Sequence, residues 1–367
     1  MAVSLALIAG ARPNFMKIAP LVHALSGDAD FDPILVHTGQ HYDDNMSGQF
    51  FRDLDIPPPR YHLEVGSGSH AQQTAEIMKR LEPVLLETRA AGLIVVGDVN
   101  STVAGALVAA KLGIKVVHVE AGLRSFDRSM PEEINRIVTD SISDLLLITE
   151  ESGRANLLRE GIAAERIHAV GNLMIDSLKK NLARALESDV VERLQLPQRY
   201  GLVTLHRPAN VDDSRQLGEI LGALEAIGGE VPLIWPMHPR TKARIESNGV
   251  RLPNQLRFTD PLGYLDFLCL QAKSAVVLTD SGGIQEETTV LGVPCLTLRD
   301  NTERPVTVEH GTNRLAGTKK QTILAAWENC KTNPRTGLQP PLWDGQAGLR
   351  CRAVLRQFFL SDAVRTS

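Results

Sequence analysis

Aromatic side chains are scarce, at 4% of the chain, and the four cysteines, Cys269, Cys295, Cys330 and Cys351, stand far apart in the last third. None makes a C-x-x-C pair or a zinc-ligand spacing, so neither a disulfide scaffold nor a zinc site is expected, and a reducing cytoplasmic setting suits the thiols. Charge of one sign is also lacking. Lys and Arg number 39 against 43 Asp and Glu, a net of −4, the wrong balance for a protein whose main partner is nucleic acid. No apolar run is long enough to span a bilayer, so no membrane partner is expected. The opening MAVSLALIAGARPNF has no basic residues ahead of its apolar stretch and Arg12-Pro13 directly behind it, and reads as a buried strand rather than a signal peptide. No H-E-x-x-H occurs, and the one approach to G-x-G-x-x-G, Gly66-Ser67-Gly68-Ser69-His70-Ala71, neither opens from a buried first strand nor leads to a ribose-binding acid. Neither a metal nor a nicotinamide cofactor is expected.

What the chain does have is apolar bulk. Its 367 residues are 43% hydrophobic, enough for two domains of roughly 150–200 residues each. Short runs rich in Val, Ile and Leu recur between helix-like stretches: Ser4 to Ala9, Ile34 to His37, Leu93 to Val96, Lys115 to Val119 and Asp144 to Ile148, then Gly201 to Leu205, Pro232 to Met237, Leu256 to Phe258, Ala275 to Leu278 and Pro294 to Leu298. Runs without polar alternation are buried on both faces, which predicts parallel sheets wrapped by helices. The fold class is therefore α/β, two doubly wound Rossmann-like domains, with the seam between Gly171 and Pro197. A last helical pattern, Gly348 to Ala363, has an apolar face that needs a surface to cover.

In such sheets ligands bind beyond the carboxyl ends of the strands. The residues there are strongly polar: Arg12, Gln40-His41, Asp98, Glu120, His206-Arg207, His238, Asp280-Ser281-Gly282-Gly283 and Arg299-Asp300. A strand followed by Ser281-Gly282-Gly283 and a helix start offers free N–H groups to an anion, although Asp280 or Ser281 capping that helix accounts for the pattern equally well. Glu287 is placed on the helix's first turn, where the dipole favours an acid, and could accept hydrogen bonds from two ribose hydroxyls. Asn100 or Ser101 is expected to cap the helix after Asp98, leaving Asp98 spare. Asp98 and Glu120 end successive strands and should push each other's pKa apart, which suits proton transfer at carbon. Pro131-Glu132-Glu133 reads as an ordinary helix start with a Glu132 to Arg136 pair. His206 with Arg12, Lys17, His238 and Arg304 would lend positive charge to a departing phosphate.

Together, G-A-R-P-N-F-M-K-I-A-P (10 to 20), T-G-Q-H (38 to 41), V-G-D-V-N-S-T (96 to 102), H-V-E-A-G-L-R (118 to 124), P-E-E-I-N-R (131 to 136), T-D-S-G-G-I-Q-E-E (279 to 287) and R-D-N-T-E-R-P (299 to 305) resemble the UDP-N-acetylglucosamine 2-epimerase family over nearly the whole chain. The resemblance implies a glycosyltransferase-B-like pair of domains, 1–171 and 172–347, with the sugar nucleotide in the cleft and residues 348–367 crossing back to the first domain. It implies catalytic positions at Arg12, Lys17, Asp98, Glu120, Glu132, Arg136 and His206. UDP would be held by Arg12, His206, His238, Ser281, Gly282, Gly283, Glu287 and Arg304. The implied reaction removes the C2 proton while UDP leaves C1, giving a 2-acetamidoglucal to which UDP re-adds, with no metal or other cofactor, in a homodimer.

Three departures qualify the resemblance. Ser125 to Met130 is short where substrate-activated members carry a longer Tyr-Ser-Pro-containing insert. Pro208-Ala209-Asn210 replaces a frequent Arg-Glu, and Asn14-Phe15 stands where Glu-Ala or similar residues often precede Lys17. The competing expectations are a hydrolysing epimerase, an epimerase of another UDP-2-acetamido sugar, a glycosyltransferase and a non-catalytic nucleotide-sugar binder.

Overall fold

A computed structural model describes residues 2–10, 12–39, 50–237, 241–242, 245 and 252–361. It divides into two compact units, Met1–Lys180 with Pro341–Ser367, and Asn181–Pro340.

In the first unit the strands are β1 (Val3–Ala9), β2 (Phe31–His37), β3 (Tyr61–His62), β4 (Gly92–Val96), β5 (Lys115–Val119), β6 (Leu145–Ile148) and β7 (Ile167–Ala169). They form one seven-stranded sheet in the order β3-β2-β1-β4-β5-β6-β7, with parallel pairing throughout. Every residue of β4 and β6 is buried, as strands covered on both faces require. The short edge strands β3 and β7 were not legible as apolar runs, because two or three residues at an edge carry little pattern.

The helices α1 (Arg12–Ser26), α2 (His70–Thr88), α3 (Asn100–Lys111), α4 (Pro131–Ile142), α5 (Glu151–Arg159) and α6 (Leu173–Leu186) flank this sheet. The glycine-rich Gly66 to Ala71 segment opens α2: Ser69 and Gln72 form a capping box there. Leu81, Val84 and Leu85 then bury one face of α2 against Ile8, Val36, Leu93 and Val95 of the sheet.

The second unit repeats the architecture with β8 (Gly201–Thr204), β9 (Leu233–Pro236), β10 (Leu256–Thr259), β11 (Val276–Thr279), β12 (Cys295–Thr297) and β13 (Asn313–Leu315). Their order is β10-β9-β8-β11-β12-β13. Helices α7 (Ser214–Gly228), α8 (Tyr264–Lys273), α9 (Gly282–Leu291) and α10 (Lys320–Thr332) accompany them. Leu217, Ile220, Leu224, Ile323 and Trp327 pack one face of the sheet together with Val203, Leu205 and Trp235.

The final helix, α11 (Ala347–Leu360), belongs to the first unit. Asp176 of α6 accepts the N–H groups of Ala347 at 3.1 Å and Gly348 at 2.8 Å, so it serves as the missing N-terminal cap. Buried Trp343 donates from Nε1 to the Thr149 carbonyl at 3.1 Å, and Arg356 pairs with Asp28 and Asp30. No helix among the described residues is long and apolar enough to cross a membrane.

Candidate functional site

At the carboxyl edge of the first sheet, β4 and β5 end side by side, with Val96 opposite Val119. Gly97 follows at φ +70°, a conformation glycine adopts without steric cost, and turns the chain so that Asp98 emerges from the strand. Glu120, directly after β5, also has a positive φ, +69°. A glutamate in the left-handed region carries strain of about 1–2 kcal/mol, and strain of this kind gathers at functional positions.

Each of the two acids has a cation against it. Lys17 reaches both carboxylate oxygens of Glu120, at 2.7 and 2.6 Å, with both side chains more than nine-tenths buried. Asp98 pairs with Arg136. Asn14, one of the departures before Lys17, donates to the Val96 carbonyl at 3.0 Å and accepts from Gly10 at 3.4 Å, tying the ends of β1 and β4 together.

The sequence pattern predicts an ordinary first-turn acid at Glu133. It is instead buried, with Arg136 Nε at 3.0 Å and Nη2 at 2.6 Å. It also accepts Ser125 N–H at 3.0 Å, Ser125 Oγ at 3.1 Å and Phe126 N–H at 2.9 Å. Burial opposes ionisation, but these donors and Arg136 hold the Glu133 carboxyl below the ordinary range. It thus fixes both the short Ser125 to Met130 segment and the guanidinium that meets Asp98. Only the pairing, not the sequence pattern, distinguishes it from Glu132, which is partly exposed on the same turn. The caps differ from expectation as well: Val99 is the N-cap of α3 and Asn100 lies inside the helix.

The second unit gathers the other candidates. His206 follows β8 and is exposed, at 62%, while its Nδ1 lies 2.9 Å from Oδ1 of fully buried Asp280. Asp280 also accepts the N–H groups of His206 and Arg207 and the amide of Asn210. Burial pushes its carboxyl up, but His206 and these donors bring it below the ordinary range. Asp280 therefore orients His206 instead of capping α9, and Asn210 of the unusual Pro208-Ala209-Asn210 segment is part of that support.

The N-cap of α9 is Ser281, without a side-chain cap hydrogen bond. Gly282 packs so closely that a methyl group there would lie 2.4 Å from Arg304 Nη1. Arg304 is itself buried between Glu286 at 2.9 Å and Glu303 at 2.7 Å, and Glu303 also meets Arg299 and Arg207. Burial would raise the Glu303 carboxyl, yet Arg304, Arg299 and Arg207 hold it far below the usual range. An uncapped helix start beside shared guanidinium groups suits an anion. Glu287 lies on the second turn of α9, not the first, since the helix begins at Gly282. Burial pushes its carboxyl up to about 8, with Gln271 acting against the rise and Glu286 adding to it. The Arg12 side chain, Gln40, His41 and His238 lie outside the described residues. Among the described residues no group of three His, Cys, Asp or Glu is placed to hold a metal ion.

Two doubly wound parallel sheets with acids and cations at their strand ends define a glycosyltransferase-B-like α/β protein. The profile of the family described as UDP-N-acetylglucosamine 2-epimerase matches residues 23–356. The UDP-N-acetylglucosamine 2-epimerase of Methanocaldococcus jannaschii is 42% identical, covering 96% of this chain and 99% of its own length. A crystal structure of the M. jannaschii enzyme in complex with UDP-GlcNAc and UDP superposes with a TM-score of 0.90 at 42% identity, over 96% of this chain and 99% of that one. A UDP-2,3-diacetamido-2,3-dideoxy-D-glucuronate 2-epimerase of Pseudomonas aeruginosa is also 42% identical, over 92% of this chain and 94% of its own. The chain belongs to the UDP-N-acetylglucosamine 2-epimerase family.

Proposed function

We propose that this protein interconverts UDP-N-acetylglucosamine and UDP-N-acetylmannosamine without hydrolysis, in the cytoplasm and as a homodimer. The observation that carries this reading is the pair of strand-end acids, Asp98 against Arg136 and Glu120 against buried Lys17. A C2 proton is weakly acidic, so its removal needs a carboxylate held in place and its return on the other face needs a second proton donor. Asp98, Glu120 and Glu132 are the acids for these transfers, with Arg12, Lys17 and Arg136 setting the local charge. The departing diphosphate takes up negative charge as the C1–O bond breaks. The N–H groups at Ser281, Gly282 and Gly283 receive it, with His206, His238 and Arg304 as the cationic side. Glu287 accepts the ribose hydroxyls. A binding module or glycosyltransferase would have no use for the strained, paired Glu120.

The test is proton and phosphorus NMR with UDP-N-acetylglucosamine in heavy water. UDP-N-acetylmannosamine carrying deuterium at C2 supports the proposal. Free N-acetylmannosamine with UDP moves the protein to the hydrolysing reaction, and no exchange in a folded, UDP-binding sample overturns the assignment. The similarity to the P. aeruginosa enzyme and the Asn14-Phe15 departure favour one second reading, a UDP-2-acetamido sugar bearing a further substituent, and that sugar nucleotide belongs in the same assay.

A further inference from the structure

Beneath the two strand-end acids lies a histidine that the proposed reaction does not use. His118, in β5, is fully buried. Its Nδ1 is 2.6 Å from Oδ1 of Asp140 on α4, and its Nε2 is 2.8 Å from the carbonyl oxygen of Gly97. A carbonyl oxygen only accepts, so Nε2 must donate. Asp140 is an acceptor too: its Oδ2 already takes the Gly122 N–H at 3.1 Å and Arg124 Nη2 at 2.7 Å. A neutral imidazole has one donor and one acceptor nitrogen, so it satisfies only one of these contacts. An unmade hydrogen bond at full burial costs more than the same bond lost at the surface.

We infer that His118 is a positioning residue, protonated on both ring nitrogens, that braces the Gly97 carbonyl against Asp140 and so aims the turn bearing Asp98. The surrounding charges accommodate the second proton. From α4 comes Asp140, from the segment after β5 comes Arg124, and Glu160 after α5 takes Arg124 at 2.8 and 2.6 Å. The set is then two cations and two carboxylates. Glu120, further along the same chain segment, has Lys17 of α1. Gly97 is held from both sides: its N–H donates to the Val119 carbonyl at 3.0 Å and its carbonyl receives His118. Because β5 carries the brace and runs directly into Glu120, the two acids are located by one strand. This inference rests on the proposed roles of Asp98 and Glu120.

Two measurements test it. Long-range proton–nitrogen NMR of histidine-labelled enzyme, assigned by the spectrum of His118→Asn, should show both His118 nitrogens carrying a proton in the folded enzyme, as two acceptor partners require. A nitrogen of the unprotonated type overturns the charged brace. Kinetically, His118→Gln keeps an amide donor near Gly97, whereas His118→Asn keeps one near Asp140 and loses the brace. His118→Asn should lower kcat about 10²-fold, the effect of misplacing a reacting group by about 1 Å. KM and UDP binding should be unchanged, and His118→Gln should recover much of the rate. Equal rates in the two variants, or a greater loss in His118→Gln, would overturn the positioning role. Absence of C2 exchange in the unaltered enzyme would overturn the epimerase reading, while the nitrogen spectrum would still decide the charge of His118.

Discussion

Replacing Glu120 once by alanine and once by glycine isolates the backbone strain at the strand end. Both variants remove the carboxylate, and both leave Lys17 buried without it, so that large loss cancels in the comparison. What remains is the conformation at φ +69°. At an ordinary helical position glycine is about 0.5–1 kcal/mol less stable than alanine. In the left-handed region the alanine Cβ crowds the following carbonyl at about 1–2 kcal/mol, and glycine is spared this. The two effects oppose each other, so Glu120→Gly should be the more stable variant by about 1 kcal/mol, or about fivefold in the unfolding constant. Lys79, exposed on α2, supplies the control, where alanine should lead by about the usual helical margin. Urea titration with hydrogen-exchange mass spectrometry on peptides from β4 to β6 reads the first unit separately from the second. An alanine advantage at position 120, as at position 79, would show that no strain is stored there.

Glu133→Ala should destabilise the first unit by about 3–5 kcal/mol, because it leaves Arg136 buried with one carboxylate fewer, and the same exchange experiment measures it. The folded pKa of Glu133 is depressed, so its contribution is complete above the ordinary carboxylate range and disappears as pH falls through the folded value. UDP affinity should rise with pH until about 8, by at most about tenfold per unit, as ribose hydroxyls draw Glu287 from its acid form to the carboxylate. Isothermal titration with Glu287→Gln, which retains the titration of UDP itself, should lack that component. All four cysteines are buried, and burial pushes the Cys295 thiol to about 12. A thiol-specific chromophoric reagent should therefore react with the native protein only at the rate of unfolding, and rapid reaction on mixing would contradict this.

The apolar runs alone predict the two-sheet architecture and the polar strand ends to which the proposed chemistry is assigned. Runs such as Leu93 to Val96 admit few structures other than buried parallel strands, and polar residues directly after them must lie at the binding edge of the sheet. The motif set also placed the chain in its family. The packing of distant segments decides which partners each polar residue has there. Glu132 and Glu133 are indistinguishable as neighbouring first-turn acids, yet only Glu133 is shown buried against Ser125, Phe126 and Arg136. Asp280 looked like a helix cap and proved to be the support of His206. His118 gave no signal, since a histidine inside an apolar strand has no period of its own, and its meaning comes from Asp140, twenty-two residues on. Burial and hydrogen-bond partners are relations between segments distant in the chain, and they set charge and direction only when the strands and helices close around them.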